Sequence, residues 1–398
     1  MAGALDGMRV VDLSQYEAGP SCGQYLGWLG ADVVKVESID GEPGRKLFAA
    51  DPDQDSQYFL NFNANKRSLA VDLKKPEGRD VFLRLVDGAD VLLENQGPGV
   101  MERLGLGHDE LLARNPRLVY ARIKGYGLSG PYAEYKSFDQ LAQAASGVMS
   151  LTGEVDGPPM RPGATVGDTG TGVHAALAIV SAYVQQQRTG RGQLVELAMH
   201  EVMTMFVRTT TAQHWGPDAP PAPRASRSDA PPAGLYATKG GGPNDYVYLV
   251  LANRAMWQQL CTTIGRPDIL TDPRFATGRA RTENAEALHA EIGRWFLEHP
   301  KTEAMRILGE AGLPCSATFA SNEVFADPHL RARGFVHELD DPVRGDVMLL
   351  GNPLRLGDND VPMRLPPRLG EHTDEILRGD LGLDEATVQR LRETGAVG

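Results

Sequence analysis

The segment Gly167-Asp168-Thr169-Gly170-Thr171-Gly172 sets one carboxylate among three glycines at the entrance to an apolar helical stretch. Glycine tolerates positive φ and lets a ligand come close to the backbone, and free N–H groups at a helix start favour an anion. Asp168 therefore reads as a ligand-facing carboxylate or as a helix cap shared with Thr169, and local sequence favours the cap. A second carboxylate, Glu17, stands in the loop Ser14-Gln15-Tyr16-Glu17-Ala18-Gly19-Pro20. It is either an active-site acid or a solvated loop acid, and context favours the solvated reading. Basic residues recur just outside strand-like runs: Lys66, Arg67, Lys74, Lys75, Arg103, Lys124 and Lys136. Any one of them reads best as solvated rim, but their repetition at strand ends suggests convergence on phosphates.

Other chemistries lack their signatures. The first loop has no GxGxxG, which argues against a nicotinamide cofactor held in the usual way. Nine histidines show no HExxH spacing, and no metal site is expected. Cys22, Cys261 and Cys315 form no CxxC pair, so neither a disulfide framework nor a zinc ribbon is expected, and a reducing cytoplasm fits best. No GxSxG occurs, and Cys22 lies in an apolar stretch as a packed thiol. The 40 Lys+Arg against 52 Asp+Glu give a net charge of −12, which disfavours a general nucleic-acid surface. The start of the chain lacks a signal-peptide succession, and no apolar run approaches the ~20 residues of a membrane span.

The elements that must position these residues follow from hydrophobic patterning. Strand-like runs at 8–13, 32–37, 68–73, 90–94 and 118–123 alternate with helical stretches at 22–29, 76–86 and 99–115. That alternation predicts an α/β fold with a doubly wound parallel sheet, whose ligands sit at the carboxyl ends of the strands. Helical stretches at 139–151 and 171–187, a strand at 193–197 and a helix from 200 follow. With 398 residues the chain has room for two or three domains. Residues 216–234 hold six prolines and no aliphatic residue larger than alanine, which predicts a linker or exposed loop. Beyond it, a hairpin around Gly240-Gly241-Gly242 and helices at 285–297 and 302–311 predict a smaller α+β domain.

LDGMRVVDLS, YEAGPSCGQYLGWLGADVVKVE, NANKRSLAVDLKKPEGR, ENQGPGVMERLGLG, YARIKGYGLSGPY, VGDTGTG, TGRGQLVELAM and GEHTDEIL occur in that order. Together they resemble the class III CoA-transferases, the family of formyl-CoA:oxalate and carnitine CoA-transferases, over nearly the whole chain. The resemblance implies an interlocked, ring-like homodimer. Its large Rossmann-like domain would take residues 1–205 and 331–398, with a linker at 206–234 and the small domain at 235–330. It also implies that Asp168 is the catalytic aspartate rather than a cap, with Glu17 beside it. Coenzyme A would contact Tyr16, Glu17, Ala18, Val71, Asp72, Leu73, Lys74, Asn95, Gln96, Gly97, Arg103 and Lys136. CoA and acyl-CoA would be substrates with no permanently bound cofactor, and backbone N–H groups of the glycine-flanked turn would face the reacting oxyanion. The expected partners are a carboxylic acid, a small dicarboxylate above all, and a second copy of the chain in the cytoplasm.

Three residues or segments depart from the formyl-CoA transferases. Glu17 replaces a Gln, the Pro-rich stretch 224–234 replaces a glycine-rich lid, and Ser38 replaces an Arg. The alternatives are an acyl-CoA racemase of the same fold, which would need a proton carrier where this chain has Phe138, and a CoA-binding relative without activity.

Overall fold

Strands β1 (Arg9–Leu13), β2 (Asp32–Glu37), β3 (Arg67–Ala70), β4 (Val91–Glu94), β5 (Val119–Lys124) and β6 (Gln193–Ala198) form one sheet in the order β3-β2-β1-β4-β5-β6. Every pairing in it is parallel. Most of its strand residues are buried, because helices cover both faces. The computed structural model describes residues 3–224 and 231–398.

Period-2 alternation sorts the strand residues between two cores. Val11, Leu13, Val34, Leu92 and Tyr120 pack on one face against Phe82 and Val86 of α3 (Pro76–Asp87) and against Ile376, Leu377 and Val388 near the chain's end. Val10, Val33, Val91, Leu93 and Ile123 pack on the other, against Cys22 and Leu26 of α1 (Ala18–Trp28) and Ala175 and Ile179 of α7 (Val166–Thr189). Each fully buried Leu, Val or Phe in these layers contributes about 1.5–3 kcal/mol.

The order of the remaining elements shows where periodicity misleads. The helix expected over 99–115 is two helices, α4 (Val100–Arg103) and α5 (His108–Arg114), separated by Gly105 at φ +67°. The first helix starts at Ala18, earlier than its apolar run suggests, and α2 (Gln57–Asn63) had no clear periodic signal. The strand expected over 68–73 ends at Ala70, with Val71 bridged to Val397. Helices α6 (Asp139–Ala145) and α8 (Met199–Phe206) flank α7.

The chain divides into two compact units, residues 1–224 with 334–398, and residues 225–333. Within the second, β7 (Gly234–Ala237), β8 (Tyr246–Leu249) and β9 (Cys315–Ala317) make an antiparallel sheet. Tyr236, Val247 and Leu249 from that sheet pack with Trp257, Leu260, Leu288, Ile292 and Phe296. A strand pair, β10 (Val336–Asp341) and β11 (Gly345–Leu350), belongs to the first unit. Of the Pro-rich stretch 224–234, residues 225–230 lie outside the described residues. Among the described residues, no helix is long and apolar enough to cross a membrane.

Candidate active site

Neighbouring strands β1 and β4 mark the point where strand order reverses, so the loops that leave them diverge and open a crevice. The loop after β1 carries Tyr16 and Glu17 and leads into Ala18 at the start of α1, and the loop after β4 carries Asn95, Gln96 and Gly97. Asn95 clamps the two together: its Oδ1 accepts the Gln15 N–H at 2.8 Å and its Nδ2 donates to the Gln15 carbonyl at 2.8 Å. Gln96 Nε2 donates to the Leu13 carbonyl at 2.9 Å. Tyr16 takes φ +64°, strained for a side chain of that size, and Glu42 Oε2 holds its N–H at 2.9 Å.

Under these loops runs a belt of buried ions at the carboxyl ends of the strands. Lys66 Nζ meets Asp12 Oδ2 at 2.8 Å, Arg45 meets Glu37 at 2.7 Å, and Glu94 receives Arg122 at 2.7 Å and Lys124 at 2.8 Å. Buried charges persist only when paired and hydrogen-bonded, and Lys66 also donates to the Pro20 carbonyl and Asn63 Oδ1. The reading of Lys66 and Lys124 as solvated rim is therefore corrected: both ammonium groups are buried in ion pairs. Arg67 pairs with Asp32, Glu375 and Asp380, and Lys75 donates to the carbonyls of Thr394 and Gly395. Lys74, Arg103 and Lys136 stay exposed, and among the described residues none of the three has an ion pair.

Asp168 stands in the first turn of α7 without capping it. The cap comes from Asp139 on α6, whose Oδ1 accepts the N–H of Gly167 at 2.8 Å and of Asp168 at 3.3 Å, while its Oδ2 accepts from Gln143 at 2.7 Å. Two expectations fall with this geometry. The backbone donors of Gly167 and Asp168 are occupied rather than free for an oxyanion. The glycines serve helix contact: a methyl on Gly167 would sit 2.9 Å from Asp139 Oδ1, and one on Gly172 would sit 2.8 Å from the Ala18 carbonyl.

Glu17 is buried, not solvated. Its Oε1 accepts the hydroxyls of Thr165 at 2.5 Å and Thr169 at 2.6 Å, which carry it to the same helix turn as Asp168. Burial, seconded by the charge of Asp139, raises the Glu17 pKa against the pull of the two hydroxyls. Burial first, then Glu17 and Asp139, push Asp168 up to about 8. Among the described residues no hydrogen bond or ion pair reaches the Asp168 carboxylate. Burial raises the Tyr58 phenol too, and the charges of Glu17 and Asp168 add to it.

Two cavities meet at Gln15 and Gln96. The first, of about 390 Å3, is lined by Tyr16, Glu17, Ala18, Asn95, Gly97, Arg103, Lys136 and Asp168. The second, of about 460 Å3, is lined by Val71, Asp72, Leu73 and Lys74 together with Ser38. The chain thus brings all the expected site residues to two adjoining hollows. Sequence reasoning named Thr169 only as a possible cap and missed Asp139, Thr165, Glu42 and Tyr58, which carry no motif of their own and meet the site through contacts between distant parts of the chain. Cys22 is buried, and burial raises its thiol, so it offers no nucleophile. Among the described residues no group of three or more His, Cys, Asp or Glu could hold a metal ion.

The family model for CoA-transferase family III matches residues 5–373. A formyl-CoA:oxalate CoA-transferase of Streptomyces coelicolor is 38% identical over 411 residues, covering 100% of both chains. One from Rhodopseudomonas palustris is 38% identical, covering 100% of this chain and 98% of its own. A CaiB/BaiF family protein from Brucella suis superposes with a TM-score of 0.85 at 33% identity, covering 96% of this chain and 100% of its own. Rv3272 from Mycobacterium tuberculosis superposes with a TM-score of 0.80 at 32% identity, covering 94% and 99%.

Proposed function

The chain belongs to CoA-transferase family III, and from that premise we propose that it moves CoA from an acyl-CoA to a small dicarboxylic acid through an aspartyl-acyl anhydride on Asp168. The observation that carries this reading is the Asp168 carboxylate, which lines the cavity and has no side-chain partner among the described residues while another residue caps its helix. The adjoining hollows suit a long thioester, with the nucleotide end against Val71, Asp72, Leu73 and Lys74 and the acyl end beside Asp168 and Glu17. Exposed Lys74, Arg103 and Lys136 are cations available to its phosphates. CoA is a substrate in this scheme, and no resident cofactor is required.

Ionised Asp168 attacks the thioester carbonyl, the C–S bond breaks, and CoA thiolate leaves a mixed anhydride on the enzyme. Thiolate then attacks the aspartyl carbonyl, releasing the donor acid and forming an aspartyl-CoA thioester. The acceptor carboxylate attacks that carbonyl and expels thiolate, giving a second anhydride. Thiolate takes the acceptor's acyl group and frees Asp168. Each step exchanges one acyl bond for another, so excluding water preserves the thioester's energy.

The racemase alternative needs a proton carrier where Phe138 lines the cavity, edge-on to Tyr16 at 5.9 Å. A phenyl ring cannot move a proton, which favours transfer. A homodimer with a Rossmann-like, interlocked architecture is part of the proposal, supported by the exposed Val173, Leu177 and Val184 on one stripe of α7. Incubation with a panel of acyl-CoA donors and dicarboxylic acids, with acyl-CoA products read by mass spectrometry, tests the reading. A new acyl-CoA should form, and Asp168→Ala should lose at least ~10³-fold in rate. Near-parental turnover in that variant would sink the covalent route.

A further inference from the structure

A third cavity, of about 410 Å3, lies at the amino-terminal end of edge strand β3, whereas the candidate active site uses loops from the carboxyl ends of β1 and β4. Four arginines line it: Arg67, Arg344, Arg364 and Arg368. Two are already neutralised, Arg67 by Asp32, Glu375 and Asp380, and Arg344 by Asp55 at 2.6 Å and Asp341 at 2.9 Å. Among the described residues the Arg368 guanidinium reaches only Glu371, at 3.4 Å. Among the described residues Arg364 has no carboxylate partner, and its guanidinium touches only the Asn65 carbonyl, at 3.5 Å.

His372 adds a third donor. Its Nδ1 accepts the Ser68 N–H at 3.3 Å, and burial holds the imidazole below its ordinary pKa. With Nδ1 accepting from Ser68, Nε2 is the nitrogen left to donate, and the described residues supply it no acceptor. The wall is fixed rather than loose. Arg364 N–H donates to Asn65 Oδ1 at 3.0 Å, Asn65 N–H donates back to the Arg364 carbonyl at 3.3 Å, and Asn65 Nδ2 donates to the Pro362 carbonyl at 2.8 Å. Asn65 itself sits at φ +63° to make this junction.

We propose that this cavity is a second ligand site, separate from the reacting carboxylates, which takes a small metabolite through a carboxylate or phosphate group held by Arg364 and Arg368 with His372 Nε2 as a further donor. A guanidinium fork matches either oxyanion with paired hydrogen bonds, and the volume is of metabolite size. The site does not depend on the chemistry proposed for Asp168.

Calorimetric titration of the full chain, with CoA present at saturation, by inorganic phosphate and separately by succinate tests it. One of the two should bind saturably and raise the melting temperature. Arg364→Gln should weaken that binding about 10-fold or more, the loss expected for a charge-assisted contact, and Arg368→Gln should weaken it several-fold. Both side chains are exposed, so melting without anion is expected to match the parent and checks that the variants fold. Binding of phosphate alone identifies a phosphorylated ligand, and binding of succinate alone identifies a free dicarboxylate. No saturable binding, or binding unchanged in both variants, overturns the site, whatever the transferase assay shows.

Discussion

Asp139 caps a helix it does not belong to: its Oδ1 accepts the Gly167 N–H at 2.8 Å and thereby fixes the first turn of α7, on which Asp168 stands. Because the capping oxygen comes from α6, the Asp168 side chain is left free toward the cavity. Asp139→Ala would leave the buried Gly167 N–H and the half-buried Asp168 N–H without an acceptor and loosen that turn. Turnover should fall about 10²-fold, the scale of a small misplacement of a reacting group, and Asp139→Asn, which keeps an acceptor oxygen, should recover most of it. Steady-state rates equal to the parent in Asp139→Ala would show that the cap does not position Asp168.

Burial, and after it the like charges of Glu17 and Asp139, push Asp168 up to about 8 and set a pH dependence. Only the ionised carboxylate attacks, so kcat/KM of the free enzyme should rise between about pH 6 and 9, as it does for a single essential base. Glu17→Gln removes a negative neighbour while keeping an oxygen for Thr165 and Thr169. Its rise should come at lower pH. Superimposable profiles would mean that Glu17 does not act on Asp168.

The same raised value carries a cost in stability. An unfolded Asp ionises near its usual 3.8 while the folded residue keeps its proton to about 8, so its contribution to stability falls as pH rises across that window. Asp168→Asn should therefore melt above the parent at pH 8, with the gap narrowing toward pH 5. Differential scanning calorimetry at the two pH values decides it, and a variant that melts lower at both would contradict the assignment.

Lys66→Met leaves Asp12 buried beside a lost partner. Breaking one side of a buried pair costs about 3–5 kcal/mol, and Lys66 also ties down the Pro20 carbonyl at 2.8 Å, next to the first loop. Urea unfolding should show that loss together with a raised KM for acyl-CoA. A change below about 1 kcal/mol, the range of exposed pairs, would place Lys66 outside the scaffold of the loop.

Leu177 is 67% exposed in the middle of the longest helix. If that stripe meets a second copy, Leu177→Glu should shift light-scattering mass toward the monomer and lower activity with it. An unchanged mass would remove α7 from the interface.

The sequence by itself determined the parallel α/β framework, since runs such as Val91–Glu94 and Val119–Lys124 can be satisfied only by a sheet covered on both faces. It also determined the family, through motifs spread along the whole chain, and it named Asp168, Glu17 and the loop residues that the structure gathers at two adjoining hollows. Local sequence had Asp168 as a cap and Glu17 as a solvated acid. Both readings failed because the answer lay in residues far along the chain: Asp139 supplies the cap from 28 residues away, and Thr165 lies 148 residues from Glu17. The basic residues divided in the same way. Lys66 and Lys124 look like Lys74 and Lys136 in a string of letters, but Asp12 and Glu94 meet the first two inside the sheet and leave the others in solvent. Whether a charge pairs internally or faces a ligand depends on which strands become neighbours, and strand order is decided only when the chain folds.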